Sequence, residues 1–388
     1  MKILHFVESL DATFGGPVRA IVDLAAALVE IGHTVTIVTT DSSSGPAEWS
    51  DAGDRPKVLS IGKPGLFGLA LSPSAREALS KEMQSADVVH AHGVWCYASI
   101  LVCRLAARFR KPFVISPHGM LDEWPMRQKS LKKRVYLALV GSRWLSGASQ
   151  VHLAASLEFE QARRWFPGDL GIVVPNLLDT APFQSLPEGG IIEPALRQLD
   201  PRRGRVLFLS RLHPKKGLEI LLRASALLKA RQRPVSIIVA GEGASDYVAA
   251  LADLARELGL EDDELIFLGA VAGDRKLALF RSCDVFALPT HHENFGYVLV
   301  EALACGLCVV TTRAVAIASE LQSTGAAVLA EATPEQFAEA IDHLMADRNA
   351  SRARGEMGRQ RTLEWLDAGR IIRQYERMYS RCAGEVRD

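Results

Sequence analysis

Two glutamates eight residues apart, Glu293 and Glu301, lie within the segment LPTHHENFGYVLVEALACGLCVVTT, residues 288–312. A strand-like run ends at Leu288, a loop carries Glu293, and a helical pattern beginning near Gly296 carries Glu301 on its second turn. Eight residues of helix span up to roughly 12 Å at ~1.5 Å per residue. That exceeds the roughly 5 Å of a retaining glycosidase pair and reaches or passes the inverting limit. The two carboxylates therefore suit two contacts along one extended, hydroxyl-rich ligand better than an acid and a nucleophile at one bond. A helix cap at Glu293 and a solvated Glu301 are the plainer alternative. The amides of Asn294, Phe295 and Gly296, at the helix start, would make an anion site.

A second cluster is LFLSRLHPKKG, residues 207–217. Arg211 follows a strand end, and Lys216 with Gly217 opens the next helix. Two cations at one strand's carboxyl edge can neutralise a diphosphate without a metal. No Asp-x-Asp tripeptide and no GxxxxGK[ST] loop occurs, which disfavours a metal-held sugar nucleotide and a nucleoside-triphosphate hydrolase. Surface Arg and Lys on a turn remain the bland alternative.

Near the N-terminus, Gly15 and Gly16 follow a strand and precede a helix, so backbone amides could approach a phosphate closely. His118, in SPHGML, follows a buried strand and is expected at its carboxyl edge; a structural loop histidine is the alternative. Cys305 and Cys308 have CxxC spacing but no second pair, so buried free thiols are expected. The pairs His90/His92 and His291/His292 have no carboxylate set beside them, and no metal site is expected. Residues 127–144 carry six basic and no acidic side chains, with Leu131, Val135, Leu139 and Trp144 at helical spacing. A core helix with a solvated basic face is the favoured reading, and a helix lying on anionic lipid the second.

Short Val/Ile/Leu runs alternating with amphipathic stretches must position these residues. The runs are residues 3–7, 34–39, 88–91, 113–115 and 172–174, then 205–209, 235–240, 264–268, 284–288 and 309–311. Continuous hydrophobicity marks strands covered on both faces, hence parallel sheets with helical crossovers. Prolines and a Gly-Gly pair interrupt the series. The expected organisation is α/β: a Rossmann-like domain over 1–175, a linker over 176–204, a second Rossmann-like domain over 205–365, and a terminal helix over 366–388. Two such doubly wound sheets would present a cleft between their carboxyl edges, fit for a two-substrate transferase or for a single-ligand binder.

The 388 residues carry 45 basic and 45 acidic side chains and 48% hydrophobic content, a globular composition with none of the basic excess of a nucleic-acid binder. Six scattered cysteines suit a reducing compartment. The short apolar run before Glu8 falls short of a secretory signal, so a cytoplasmic location is expected.

Taken together, the N-terminal FGGPVRAIVDLAAALVEIGHTVTIVTT, SPHGML, Pro175-Asn176, SRLHPKKG and the E-x7-E element resemble the family-4 retaining glycosyltransferases of the GT-B fold. SPHGMLDEW with the following basic stretch resembles the subgroup that assembles bacterial surface polysaccharides. The resemblance implies that Arg211 and Lys216 hold the donor diphosphate, Glu301 the ribose hydroxyls, and Glu293 the transferred sugar. Asn294, Phe295 and Gly296 would lie near sugar and phosphate, Gly16 would close over the phosphates, and His118 would sit beside the sugar. Val271, with Ala270, matches the stretch whose backbone reads the base, and the final helix would return to the first domain. Asn294 stands where a small residue is usual, Cys308 replaces a common proline, AVAIA replaces a glycine pair, and PNLLD replaces PNGVD.

The implied activity is retaining, metal-independent transfer of a hexose from a UDP- or GDP-sugar to a glycan or lipid-linked acceptor, with no cofactor. Peripheral contact with the inner face of an anionic membrane goes with the second reading of the basic stretch 127–144. A nucleotide-sugar-binding protein without transfer activity, or a GT-B-fold epimerase, are the alternatives.

Overall fold

The computed structural model describes residues 1–11, 15–42, 45, 49, 55–63, 71–186, 196–197, 199–200, 202–260 and 263–384. The chain divides into two compact units, residues 1–179 with 368–388, and residues 180–367. Of the linker expected over 176–204, residues 187–195, 198 and 201 lie outside the described residues, as does the Gly189-Gly190 pair.

Unit 1 is built on seven strands: β1 (Lys2–Val7), β2 (Thr34–Thr39), β3 (Lys57–Ser60), β4 (Val88–His92), β5 (Phe113–Ser116), β6 (Gln150–Leu153) and β7 (Gly171–Val173). They are all parallel, in the order β3-β2-β1-β4-β5-β6-β7. The strand order reverses between β1 and β4, where neighbouring crossovers run to opposite sides and leave a crevice at the carboxyl ends. The core runs through Leu4, Phe6, Val89, Ala91, Ile115 and Val151 to the helix flanks at Leu79 and Val102.

Unit 2 repeats the plan with β8 (Gly204–Leu209), β9 (Val235–Ala240), β10 (Leu265–Phe267), β11 (Val285–Leu288), β12 (Cys308–Thr312) and β13 (Ala327–Ala330). The order is β10-β9-β8-β11-β12-β13, again parallel, with its switch point between β8 and β11. The expectation of two doubly wound parallel sheets holds. The strands β3, β6 and β13 are additions: KVLS, QVHL and AVLA are too short or too polar to stand out as apolar runs.

The basic stretch 127–144 departs from the favoured reading. It is not one core helix but a helix Glu123–Arg127, a helix Ser130–Tyr136, a π-helical turn Leu137–Gly141 and a short helix Ser142–Leu145. Leu131, Val135 and Leu139 are 77%, 48% and 76% exposed, whereas Leu137, Trp144 and Leu145 are buried. Spacing of four residues put the first three on one face. Which face turned inward was decided by the π turn and the packing of Trp144, neither visible in periodicity.

The terminal helix Ala368–Ala383 belongs to unit 1. Its buried face, Ile371, Ile372, Tyr375, Met378 and Tyr379, follows the 3.6-residue repeat. His33 Nε2 lies 3.0 Å from Glu376 Oε1 on its flank.

Candidate functional site

In unit 2, the residues after β8 and after β11 meet at the switch point. Past β8, Leu212 bridges Gly243 and its N–H donates to the Glu242 carbonyl at 2.7 Å. A 3-10 turn, Pro214–Lys216, follows, with the His213 ring accepting from the Lys215 N–H at 3.0 Å. Gly217 then caps the helix Leu218–Ala230 with φ +71°, and a Cβ there would overlap the Pro289 carbonyl oxygen. Glycine is required because the chain turns left-handed against another backbone.

The LPTHHE loop is tied to this turn. The His291 N–H donates to the Lys215 carbonyl at 2.8 Å, and the Thr290 hydroxyl donates to the same oxygen at 3.2 Å. From β12, Thr312 donates to the Thr290 carbonyl at 2.6 Å. Glu293 is held by backbone bonds to the next loop, its N–H donating to Ala314 at 3.2 Å and its carbonyl accepting from Ala316 at 2.9 Å. The AVAIA segment, where the resemblance expected glycines, thus supplies the strap that holds Glu293. Gly296, φ +72°, caps the helix Tyr297–Ala304, and a Cβ on it would stand 2.9 Å from Glu293 Cγ.

These constraints bring Lys216 Nζ onto Glu293 Oε2 as an ion pair, with the side chains 13% and 19% exposed. Burial pushes the Glu293 carboxyl upward, but Lys216, by charge and hydrogen bond, and the more distant Lys215 outweigh it and hold it below its ordinary value. Burial, followed by Lys215 and Lys216, lowers His292 to about 4. Glu301 is buried, not solvated, and Lys276 Nζ bonds its Oε1 at 2.8 Å. Lys276 was not legible beforehand, since its motif-free helix Gly273–Ser282 meets Glu301 only through the fold.

Arg211 is exposed at the end of β8, and Val271 is half-buried after β10. Phe295 is buried against Tyr297 and Trp365, at ring separations of 5.1 and 6.3 Å. The Oδ1 of Asn294, beside Glu293, is buried without a hydrogen-bond partner. Cys305 and Cys308 are buried free thiols, as expected.

In unit 1, Gly15, φ +80°, caps the helix Gly16–Glu30, the first helix after β1, and Gly16 is exposed. His118 follows β5 in a left-handed conformation, φ +51°. The loop is fixed by Glu158, whose Oε1 accepts from the Gly119 N–H at 2.6 Å and Oε2 from the Ala154 N–H at 2.7 Å.

Behind His118 lies a buried cluster of imidazoles. His90 and His92 point to one face of β4, as period two requires, and His5 of β1 is paired in register with His90. Burial lowers His5 and His118 to about 3 and His152 to about 4, and takes His90 and His92 well below the ordinary value. All five are therefore neutral at pH 7. Ring nitrogens of His5, His90 and His92 lie within 4.8 Å of one another, a spacing open to a shared ion. Both nitrogens of His90 and both of His92 are already engaged by hydrogen bonds, so an ion would have to displace them. The HxH pair was legible; its third member and its hydrogen-bonding role were not.

The fold is shared with solved glycosyltransferases. Anabaena HepE, solved in complex with UDP and glucose, superposes with a TM-score of 0.78 at 23% identity, covering 98% of this chain and 99% of its own. WaaG, a glycosyltransferase involved in lipopolysaccharide biosynthesis, gives 0.70 at 16% identity over 98% and 100%. Two sheets of this topology define an α/β protein of the GT-B class.

The sequence places it further. Residues 15–176 match the glycosyl transferase 4-like domain and residues 195–361 the glycosyl transferases group 1 model. The chain belongs to the family-4 glycosyltransferases of the GT-B fold. Among its relatives, a D-inositol 3-phosphate glycosyltransferase of Mycolicibacterium gilvum is 29% identical over 71% of this chain and 60% of its own length. A phosphatidyl-myo-inositol mannosyltransferase of Mycolicibacterium smegmatis is 39% identical over 39% of this chain and 37% of its own. The matched segments thus span roughly half of these relatives' lengths.

Proposed function

We propose that the protein is a retaining glycosyltransferase moving a hexose from a nucleoside-diphosphate sugar to a hydroxyl of a glycan or lipid-linked acceptor. The observation that carries this is the Lys216–Glu293 pair at the switch point of unit 2, on a chain of this family. Arg211 and Lys216 supply the cations for the diphosphate, Glu301 accepts from the ribose hydroxyls, and Glu293 with the Asn294–Gly296 amides meets the sugar. Val271 borders the base. From unit 1, Gly16 serves the phosphates and His118 the sugar.

In this reading Glu293 neutralises Lys216 until a diphosphate brings competing negative oxygens. Charge develops on the leaving β-phosphate as the C1–O bond breaks, and fixed cations that meet it there lower the barrier without metal. The acceptor oxygen bonds C1 on the same face and its proton passes to the leaving phosphate, which gives retention with no protein nucleophile.

HepE's complex with UDP and glucose supports a uridine donor, and the names of the inositol relatives extend the acceptor classes to phosphorylated inositols. Surface-polysaccharide assembly in the cytoplasm is the physiological setting we favour. No helix among the described residues is long and apolar enough to cross a membrane. Exposed Leu131, Val135 and Leu139 among basic neighbours support peripheral contact with anionic lipid. Beside Leu139 opens a cavity of about 370 Å³ lined by Ile100, Phe113 and Trp144 with Arg104 and Arg143.

Titration calorimetry with UDP, GDP and their hexose conjugates tests the proposal, followed by product analysis with and without acceptor. Binding with acceptor-dependent transfer is expected. Binding without turnover would indicate a sensor, a product formed without acceptor an epimerase, and absence of all binding would end the proposal.

A further inference from the structure

Unit 1 contains two hydrogen-bonded histidine networks with different anchors. In the first, His152 Nε2 lies 2.9 Å from the Val174 carbonyl, which can only accept, and 3.1 Å from the Tyr375 hydroxyl, which can accept as well, so this nitrogen carries the proton. His152 Nδ1 then accepts from the Ser116 hydroxyl at 2.6 Å, Ser116 accepts from His90 Nε2 at 2.7 Å, and His90 Nδ1 accepts from the Tyr379 hydroxyl at 2.8 Å. One carbonyl sets every tautomer in the line.

The second network is a row of three rings, His118, His92 and His5. His118 Nε2 lies 2.9 Å from His92 Nδ1, and His92 Nε2 lies 3.0 Å from His5 Nδ1. Adjacent rings are nearly parallel, at 18° and 17°. The row begins at half-buried His118 and ends at His5, fully buried, whose Nε2 has no hydrogen-bond partner.

A neutral imidazole has one N–H and one lone pair, so this row has two registers only. In one, every Nε2 is protonated: His118 donates inward, its Nδ1 is a bare acceptor, and His5 buries an unpaired N–H. In the other, every Nδ1 is protonated: His5 donates to His92, His92 donates to His118 Nε2, and His118 offers an outward Nδ1–H. The cost then left in the core is one unpaired lone pair. A buried orphan donor is the rarer defect in folded proteins, which favours the second register. Interconversion would need a proton to leave at one end and another to enter at the far end, and the inner end is sealed.

We propose that His92 and His5 are positioning residues that lock His118 as its Nδ1–H tautomer, so that it presents a neutral N–H donor to an oxygen of the donor sugar. This rests on the reading of His118 as a sugar contact. A neutral donor binds a hydroxyl or ring oxygen without adding a charge that would compete with the cations of unit 2 for phosphate.

The test is a long-range proton–nitrogen correlation spectrum of the full chain with 15N-labelled histidine at neutral pH, His118 being assigned by its loss in His118→Asn. A protonated Nδ1 and bare Nε2 are expected for His118, His92 and His5. A protonated Nε2 on His118 would overturn the proposal. In His92→Phe, freed from the inner donor, His118 is expected to exchange between tautomers, with kcat down about tenfold and KM for the donor little changed. An unaltered His118 tautomer in that variant would also overturn it. Should His92→Phe not fold, the native spectrum still decides. Because the spectrum is taken without nucleotide, a failure of donor binding would strike the proposed function separately from the tautomer lock.

Discussion

The carboxyl edges of the two sheets solve the burial of polar groups in opposite ways. In unit 2, Lys216 meets Glu293 and Lys276 meets Glu301, so charge is retained by pairing. In unit 1, five histidines are kept neutral and satisfy one another, a serine, a carbonyl and two tyrosines. Lysines and carboxylates keep their charge because opposite charge offsets desolvation, whereas imidazoles gathered without a carboxylate give up their protons. The charged edge suits a diphosphate and the neutral edge suits hydroxyls.

The strongest way to break this contrast is to remove one partner in unit 2. Lys216→Ala and Glu293→Ala are each expected to cut kcat/KM about 10²- to 10³-fold, the loss typical of one charge-stabilising group. Near-native turnover in both, measured on protein whose circular dichroism is unchanged, would deny the pair its role.

Acid separates the two edges next. Below pH 6.5 the unfolded chain takes up protons on His5, His90, His92, His118 and His152 that the folded chain refuses until far lower pH. The unfolded state then binds more protons, so their contribution is whole above 6.5 and is lost as pH falls toward the folded values of about 3 to 4. Each group can weaken unit 1 by up to about 1.4 kcal/mol per pH unit within that window. In unit 2 His292, lowered to about 4, acts in the same window, one group against the five of unit 1 among the described residues, while Glu293, its value depressed, withdraws its contribution only below about 4.5. Calorimetry at pH 7.5 and 5.5 is therefore expected to show the unit 1 transition moving down and away from that of unit 2; a common shift would refute the difference.

Gly217→Ala probes the scaffold under the charged edge. With φ +71° and the Pro289 carbonyl in the way, it is expected to cost about 1–3 kcal/mol, visible as a lower Tm and weaker nucleotide binding. The smallest effect concerns the lipid reading: Leu131→Asp with Leu139→Asp should reduce sedimentation with anionic vesicles severalfold while leaving transfer to a soluble acceptor intact. Equal sedimentation would remove the membrane from the proposal.

Much of the frame could be read before any coordinates. The run Thr34–Thr39 is the strand β2 residue for residue, and Val235–Ala240 is β9, because strands buried on both faces are rich in Val and Ile, here with only small Thr and Ser side chains between them. Glu293, Lys216 and Gly217 stood out by type beside strand ends. The basic stretch misled because a four-residue spacing identifies a shared face without saying which way it turns.

The sequence alone determined two parallel sheets, their switch-point loops, and the cations and carboxylates at one of them, since hydrophobic runs and glycine-bearing turns are local signals. Tertiary structure decided the rest: that Lys216 pairs with Glu293, that Lys276 reaches Glu301, that AVAIA straps the loop carrying Glu293, and that His5 completes a row with His92 and His118. Those partners are separated by tens of residues and meet only through strand order and register. Hydrogen bonds and ion pairs depend on ångström-scale placement in space, which spacing along a chain does not encode.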